Sequence, residues 1–165
     1  MKIEEIVGKL LKEKNLTVAC AESCTGGLLT SRLTDIPGSS DYVKGAVVSY
    51  SNEIKLSIVG VKEETLKNFG AVSEQTALEM SCGVRKVLKT SVGVGITGIA
   101  GPGGGSNEKP VGLVYISVSG SGGDKVQKFN FSGSRTEIKF QSSESALKML
   151  ENYLKYAVKL PISIG

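Results

Sequence analysis

Leu16-Thr17-Val18-Ala19-Cys20-Ala21-Glu22-Ser23-Cys24-Thr25-Gly26-Gly27-Leu28-Leu29-Thr30-Ser31-Arg32-Leu33 is a short apolar run, then a turn of small residues, then an apolar-periodic segment. Strand, turn and helix follow in that order. Such a turn presents the Ser23 hydroxyl, the Cys24 thiol and several backbone N–H groups at one point. Gly26 and Gly27 would leave the first helical turn bare, so that a ligand could reach those N–H groups and the positive end of the helix dipole. The glycine pair can thus form an oxyanion hole or a phosphate cradle, or it can simply let a helix pack closely on a sheet. Local sequence leaves both readings open.

The same alternation extends in both directions. Residues 2–14 place Ile3, Ile6, Val7, Leu10 and Leu11 on one helical face. The strand at 17–21 and a helix from about Thr25 to Thr34 are followed by Pro37 and Gly38, which stop the helix. A second strand is expected at 43–51, running into Ser51 and Asn52 as helix caps, with Lys55 in the first turns of a short helix. Residues 61–69 predict another helix ending at Gly70, and Ser73 caps a longer one with Ala77, Met80, Val84 and Leu88 on its buried face. Residues 92–98 form a nearly unbroken apolar run of the kind covered on both faces, and their glycines suggest close packing or close ligand approach. A loop at 99–107, rich in glycine, separates that strand from an alternating one at 112–119. A further strand at 125–131 is joined to it through residues 120–124 as a hairpin. Ser134 and Glu137 have capping-box spacing and open a helix with Leu147, Leu150, Leu154 and Ala157 on one face. The tail 161–165 is expected to fray, leaving one domain over residues 1–160.

This pattern predicts an α/β protein, a single-domain three-layer α/β/α sandwich around a mostly parallel mixed sheet with a late antiparallel hairpin. Ligands of such sheets bind at the carboxyl ends of the strands. Ser23, the segment Tyr50 to Lys55, the 98–105 loop and Arg135 all fall at that edge.

A chain of 165 residues is long enough to bury about 70% of its unfolded surface without staples. Its three cysteines, with no signal-peptide pattern, point to a reducing cytoplasm. Residues 90–107 are uncharged but contain seven glycines and a proline, a poor membrane span. A soluble protein without a membrane partner is therefore expected. The net charge of +4 comes from scattered lysines, and the chain has no tryptophan and four phenylalanines, which gives little support to nucleic-acid binding. Doubly wound domains of this size are commonly symmetric, so a homo-oligomer is expected.

The absence of histidine constrains the chemistry most. A Ser-His-Asp triad, a Cys-His dyad and a histidine-ligated zinc all need the missing imidazole. A nucleophile here needs a carboxylate or a lysine of lowered pKa as its base. Lys55 is the candidate base for Ser23, with Tyr50 relaying the proton or orienting the lysine; taken alone, each also fits an ordinary surface lysine or strand aromatic. Cys24 is a rival nucleophile that fits an inert packing residue better. Cys20 and Cys24 lack the second pair a metal would need. Arg135, at a helix start, suits an anion or an ordinary capping turn equally. The glycine loop lacks the Walker lysine spacing.

Several blocks in order carry a resemblance over residues 3–156. They are Ala21-Glu22-Ser23-Cys24-Thr25-Gly26-Gly27; Tyr50-Ser51-Asn52-Glu53 with Lys55; Gly70-Ala71-Val72-Ser73; and Gly98-Ile99-Ala100-Gly101-Pro102 followed by Gly104-Gly105 and Lys109-Pro110-Val111-Gly112. Together they look like the CinA C-terminal domain family, whose characterised enzymes are nicotinamide-nucleotide amidohydrolases. The family also occurs fused behind a larger N-terminal domain, so the resemblance implies a stand-alone version. It further implies hydrolysis of nicotinamide mononucleotide to nicotinate mononucleotide and ammonia, in pyridine nucleotide salvage, with no metal or organic cofactor. The family's serine, tyrosine and lysine fall on Ser23, Tyr50 and Lys55. Thr25, Gly26 and Gly27 would stabilise the oxyanion. Asn52, Gly101, Gly104 and Arg135 would contact substrate, with the glycine loop and Arg135 on its phosphate by chemical inference. The alternative is a non-catalytic nucleotide-binding or interaction module linked to competence or DNA damage.

Overall fold

Strand alternation in β1 (Val18–Glu22) sorts the whole core. Val18 and Cys20 turn to one side of the sheet, Ala19 and Ala21 to the other, and all four are fully buried. A computed structural model describes residues 1–160 of the chain. In it β1 is the second of five strands in a sheet of order β2-β1-β3-β4-β5, where β2 is Val43–Val48, β3 Val92–Gly98, β4 Leu113–Gly120 and β5 Gly123–Asn130. β1 pairs in parallel with both β2 and β3, while β3–β4 and β4–β5 are antiparallel. Four strands therefore share one direction, with β4 alone reversed. The hairpin turn between β4 and β5 is tighter than expected, because Gly120 pairs directly with Gly123.

The Val18 side is covered by α1 (Ile3–Glu13), α2 (Leu28–Thr34) and α6 (Arg135–Asn152), which bring Val7, Leu11, Leu29, Leu33, Leu147 and Leu150 to the main core. The Ala19 side is covered by α5 (Glu74–Leu88), supported by α4 (Glu63–Phe69) and by Val59 and Val61 from the preceding connection. The sandwich thus has three layers. α5 lies so close to β3 that a Cβ on Gly95 would stand 2.5 Å from the Ala77 carbonyl oxygen, so this strand's glycine serves helix packing.

The helix starts follow their capping residues. Ser73 accepts from Thr76 N–H, and Ser134 and Glu137 form the reciprocal box predicted at the start of α6. α6 passes at its end into a π-type turn, Tyr153–Ala157. The start of α2 differs from expectation. Gly26 and Gly27 have φ of +61° and +104°, so they form a left-handed turn ahead of the helix, which begins only at Leu28. β2 likewise ends at Val48, which leaves Ser49 and Tyr50 in the connection to α3 (Asn52–Ser57). The predicted tail at 161–165 lies outside the described residues. No helix among the described residues is long and apolar enough to cross a membrane.

Candidate active site

The parallel strands end side by side, and their ladders continue one residue further. Ser23 N–H donates to the Ile96 carbonyl at 3.0 Å, and Ser49 N–H to the Glu22 carbonyl at 2.8 Å. These bonds seat Ser23 between the ends of β2 and β3. The next element, α3, is capped by Ser51, whose hydroxyl accepts from Ile54 N–H. Helical side chains lean toward the N-terminus of their helix. Lys55 accordingly reaches back beneath Ser49 and Tyr50 to Ser23, and it is 1% exposed.

Lys55 Nζ lies 3.0 Å from Ser23 Oγ, 2.8 Å from the Ser49 carbonyl oxygen and 3.2 Å from that of Tyr50. No carboxylate of the described residues lies within ion-pair reach of it. Burial therefore drives its pKa below the usual lysine range, against a small opposing influence of Cys24. A neutral amine has two N–H donors and one lone pair. Two carbonyl oxygens and one hydroxyl match that inventory, with the lone pair left facing Ser23 Oγ.

A cleft of about 260 Å³ opens above this pair. Ser23, Tyr50, Asn52, Lys55, Gly101, Gly104 and Arg135, all singled out in the sequence, line it. Thr25, Gly26 and Gly27 do not. Thr25 is buried with its hydroxyl on the Glu22 carboxylate, and the N–H groups of Leu29 and Thr30 in the first turn of α2 donate to that same carboxylate. The start of α2 is therefore already occupied by an anion from its own chain. Among the described residues, the N–H groups of Cys24, Thr25 and Gly27 have no protein acceptor. Cys24 lines the cleft beside Ser23, and its thiol is pushed up to about 12, chiefly by burial, so it stays protonated.

Tyr50 is placed differently from expectation. Its main-chain carbonyl, not its hydroxyl, meets Lys55. Tyr50 is 61% exposed. Its hydroxyl accepts from Arg135 Nη2 at 3.0 Å, while Arg135 Nη1 donates to the Gly101 carbonyl at 2.6 Å. Arg135 thus joins the glycine loop to Tyr50 across the mouth, with further N–H donors free for an anion.

Three residues that line the cleft were not named as site residues in the sequence. Ala71 and Val72 line the cleft, and Thr97, also lining it, holds that segment by donating to the Ala71 carbonyl at 2.7 Å. Lys139, one turn after Arg135, brings its ammonium to within 3.6 Å of where a Gly26 Cβ would stand. The Gly70-Ala71-Val72-Ser73 block was a visible signal for that segment, and the four-residue spacing of Arg135 and Lys139 on one helix face was one for Lys139.

Comparison with known proteins agrees with this fold. The model of the CinA C-terminal domain matches residues 1–154. A competence-damage inducible protein of Halothermothrix orenii is 51% identical over 154 residues, and a CinA-like protein of Thermotoga neapolitana 50% identical over 154. Each match covers 93% of this chain, which spans 37% and 38% of the length of those two relatives. The crystal structure of competence/damage inducible protein CihA from Agrobacterium tumefaciens superposes with a TM-score of 0.87 at 43% identity, covering 93% of this chain and 95% of that one. A CinA superfamily protein from Klebsiella pneumoniae gives 0.89 at 30% identity, covering 94% and 99%.

Proposed function

The chain belongs to the CinA C-terminal domain family, and from that premise we propose that it is a nicotinamide-nucleotide amidohydrolase that uses Ser23 as nucleophile and Lys55 as base. The observation that carries the proposal is the 3.0 Å approach of a buried lysine, free of any carboxylate partner among the described residues, to a serine at the floor of a cleft. Lys55 takes the Ser23 proton as Oγ attacks the carboxamide carbon. Cys24 lines the cleft beside Ser23, and its unpartnered N–H group is the available donor for the developing oxyanion. The Lys55 ammonium then protonates the leaving nitrogen, which departs as ammonia. A water molecule, deprotonated by Lys55, attacks the acyl group on Ser23, and the proton returns to Oγ as nicotinate mononucleotide leaves. No step calls for a metal or an organic cofactor.

Arg135 supports a substrate with a phosphate, because its fork sits at the mouth with donors to spare. Comparison of nicotinamide mononucleotide with nicotinamide riboside, which lacks the phosphate, tests this. The expected result is at least a tenfold higher kcat/KM for the nucleotide, with Arg135→Ala erasing most of the difference. Equal kcat/KM for the two would point instead to a general serine amidase.

The names of the relatives favour a second reading, an interaction or nucleotide-binding module in competence or damage responses. Tight nucleotide binding without ammonia release would support it.

A further inference from the structure

Glu22 ends β1 and immediately precedes Ser23, yet it takes no part in the cleft: its side chain has no exposure and points to the α2 side of the sheet. Its Oε1 accepts from Thr25 Oγ1 at 2.7 Å and Leu29 N–H at 2.9 Å, and its Oε2 from Thr30 N–H at 2.9 Å and Thr30 Oγ1 at 2.6 Å. Two oxygens meet four donors and no cation. A buried carboxylate is costly unless so compensated, and four converging donors provide that compensation. A neutral Ser or Asn cap would have served to start a helix. The carboxylate instead links the residue before the nucleophile to the far side of the turn that contains it. That turn includes Gly26 and Gly27 at positive φ, a conformation glycine adopts without strain.

We propose that Glu22 is a positioning residue for Ser23, its carboxylate bracing the 23–27 turn from behind so that Ser23 Oγ stays on Lys55 Nζ while the Cys24 N–H group faces the reacting carbonyl. This rests on the assignment of Ser23 and Lys55 as nucleophile and base. Glu22 also adds to burial in raising the neighbouring Cys24 thiol.

The test measures labelling of Ser23 by a fluorophosphonate serine probe, together with kcat and KM for ammonia release, in the full chain and in Glu22→Gln, Glu22→Asp and Thr30→Val, at a temperature where circular dichroism shows each folded. In Glu22→Gln the labelling rate and kcat are expected to fall together by about 10²-fold, the scale of a small misplacement of a reacting atom, with KM within about twofold. Glu22→Asp keeps the charge and is expected to recover part of the loss. Thr30→Val, which removes one donor and leaves the carboxylate in place, is expected to slow labelling about threefold, and it carries the test if Glu22→Gln does not fold. Labelling within twofold of wild type in the folded variants overturns the proposal, as does a rise in KM that matches the fall in kcat. Absence of Ser23 labelling in the wild type overturns it together with the nucleophile assignment. Labelling that behaves as described, without ammonia from nicotinamide mononucleotide, supports the positioning role and sinks only the substrate reading.

Discussion

Lys55 holds its amine against two carbonyl oxygens and a hydroxyl in a buried place, and the role of base proposed for it follows from that. Only the neutral amine can accept the Ser23 proton. Because burial lowers its pKa, kcat/KM is expected to rise with pH along an acid limb whose midpoint lies below the usual lysine range. A pH profile of ammonia release locates that midpoint, and a limb at ordinary lysine values would contradict the assignment. Lys55→Met is expected to lower kcat about 10²–10⁴-fold with little change in KM, since it removes proton transfer and not substrate contacts. Tyr50→Phe is expected to leave kcat within about threefold and raise KM, because the lost hydroxyl faces Arg135 and not the dyad. Residue type, once histidine was known to be missing, offered Ser23 and Lys55 as candidates but left Lys55 equally readable as a surface lysine, and the family resemblance paired them. The direction of the Tyr50 ring could not be read, since it depends on β2 ending two residues before it. Glu22 was hidden for a similar reason: a charged residue closing an apolar strand looks like the strand's exposed end until α2 is known to fold back over it.

Elements meet in two places where a single substitution reports on the packing. α5 lies against β3 through backbone atoms, and a Cβ on Gly95 would meet both the Ala77 carbonyl oxygen and Ser81 N–H, neither of which can rotate away. Gly95→Ala is expected to cost about 1–3 kcal/mol, read as a fall in Tm. On the other face Arg32 of α2 ties three helices together. It donates to Glu4 of α1 at 2.6 Å and to Glu144 and Ser143 of α6 at 2.8 Å, while its guanidinium stacks 4.8 Å over the Phe140 ring. Burial pushes the Glu4 carboxyl up, but the hydrogen bond and charge of Arg32 outweigh it and hold Glu4 below its ordinary value. A carboxylate with a lowered folded pKa stabilises the fold above its unfolded pKa and loses that contribution as pH falls through the folded value. Glu4→Gln is therefore expected to cost about 2 kcal/mol near pH 7, the scale of a hydrogen bond to a charged group, and progressively less below about pH 4. Urea unfolding at several pH values measures both, and a cost independent of pH would contradict the ion-pair account. Helix faces and caps were well marked in the sequence, as Ser134 with Glu137 shows. The start of α2 was misplaced, because a Gly-Gly pair fits a bare first helical turn as readily as a left-handed turn before one. The long-range partners of Arg32 leave no local signal at all.

At the scale of the whole molecule, one direction shared by β1, β2, β3 and β5 brings four separate stretches to a single edge: Ser23, the segment 49–55, the glycine loop and the start of α6. That convergence was readable from the alternation of strands and helices alone, because ligands gather where parallel strands end. The division of labour at the edge was less readable. The start of α2 was read as an oxyanion or phosphate site on dipole grounds, yet Glu22 occupies it, and the donors that line the cleft belong to Cys24 and Arg135, to which the proposed oxyanion and phosphate contacts are assigned. The most direct test is the release of ammonia from nicotinamide mononucleotide by the wild-type chain and by Ser23→Ala, with nicotinate mononucleotide measured alongside. The account predicts equal amounts of the two products from the wild type, undiminished by chelators, and none above background from the variant. No ammonia from the wild type, or undiminished release from Ser23→Ala, would contradict it.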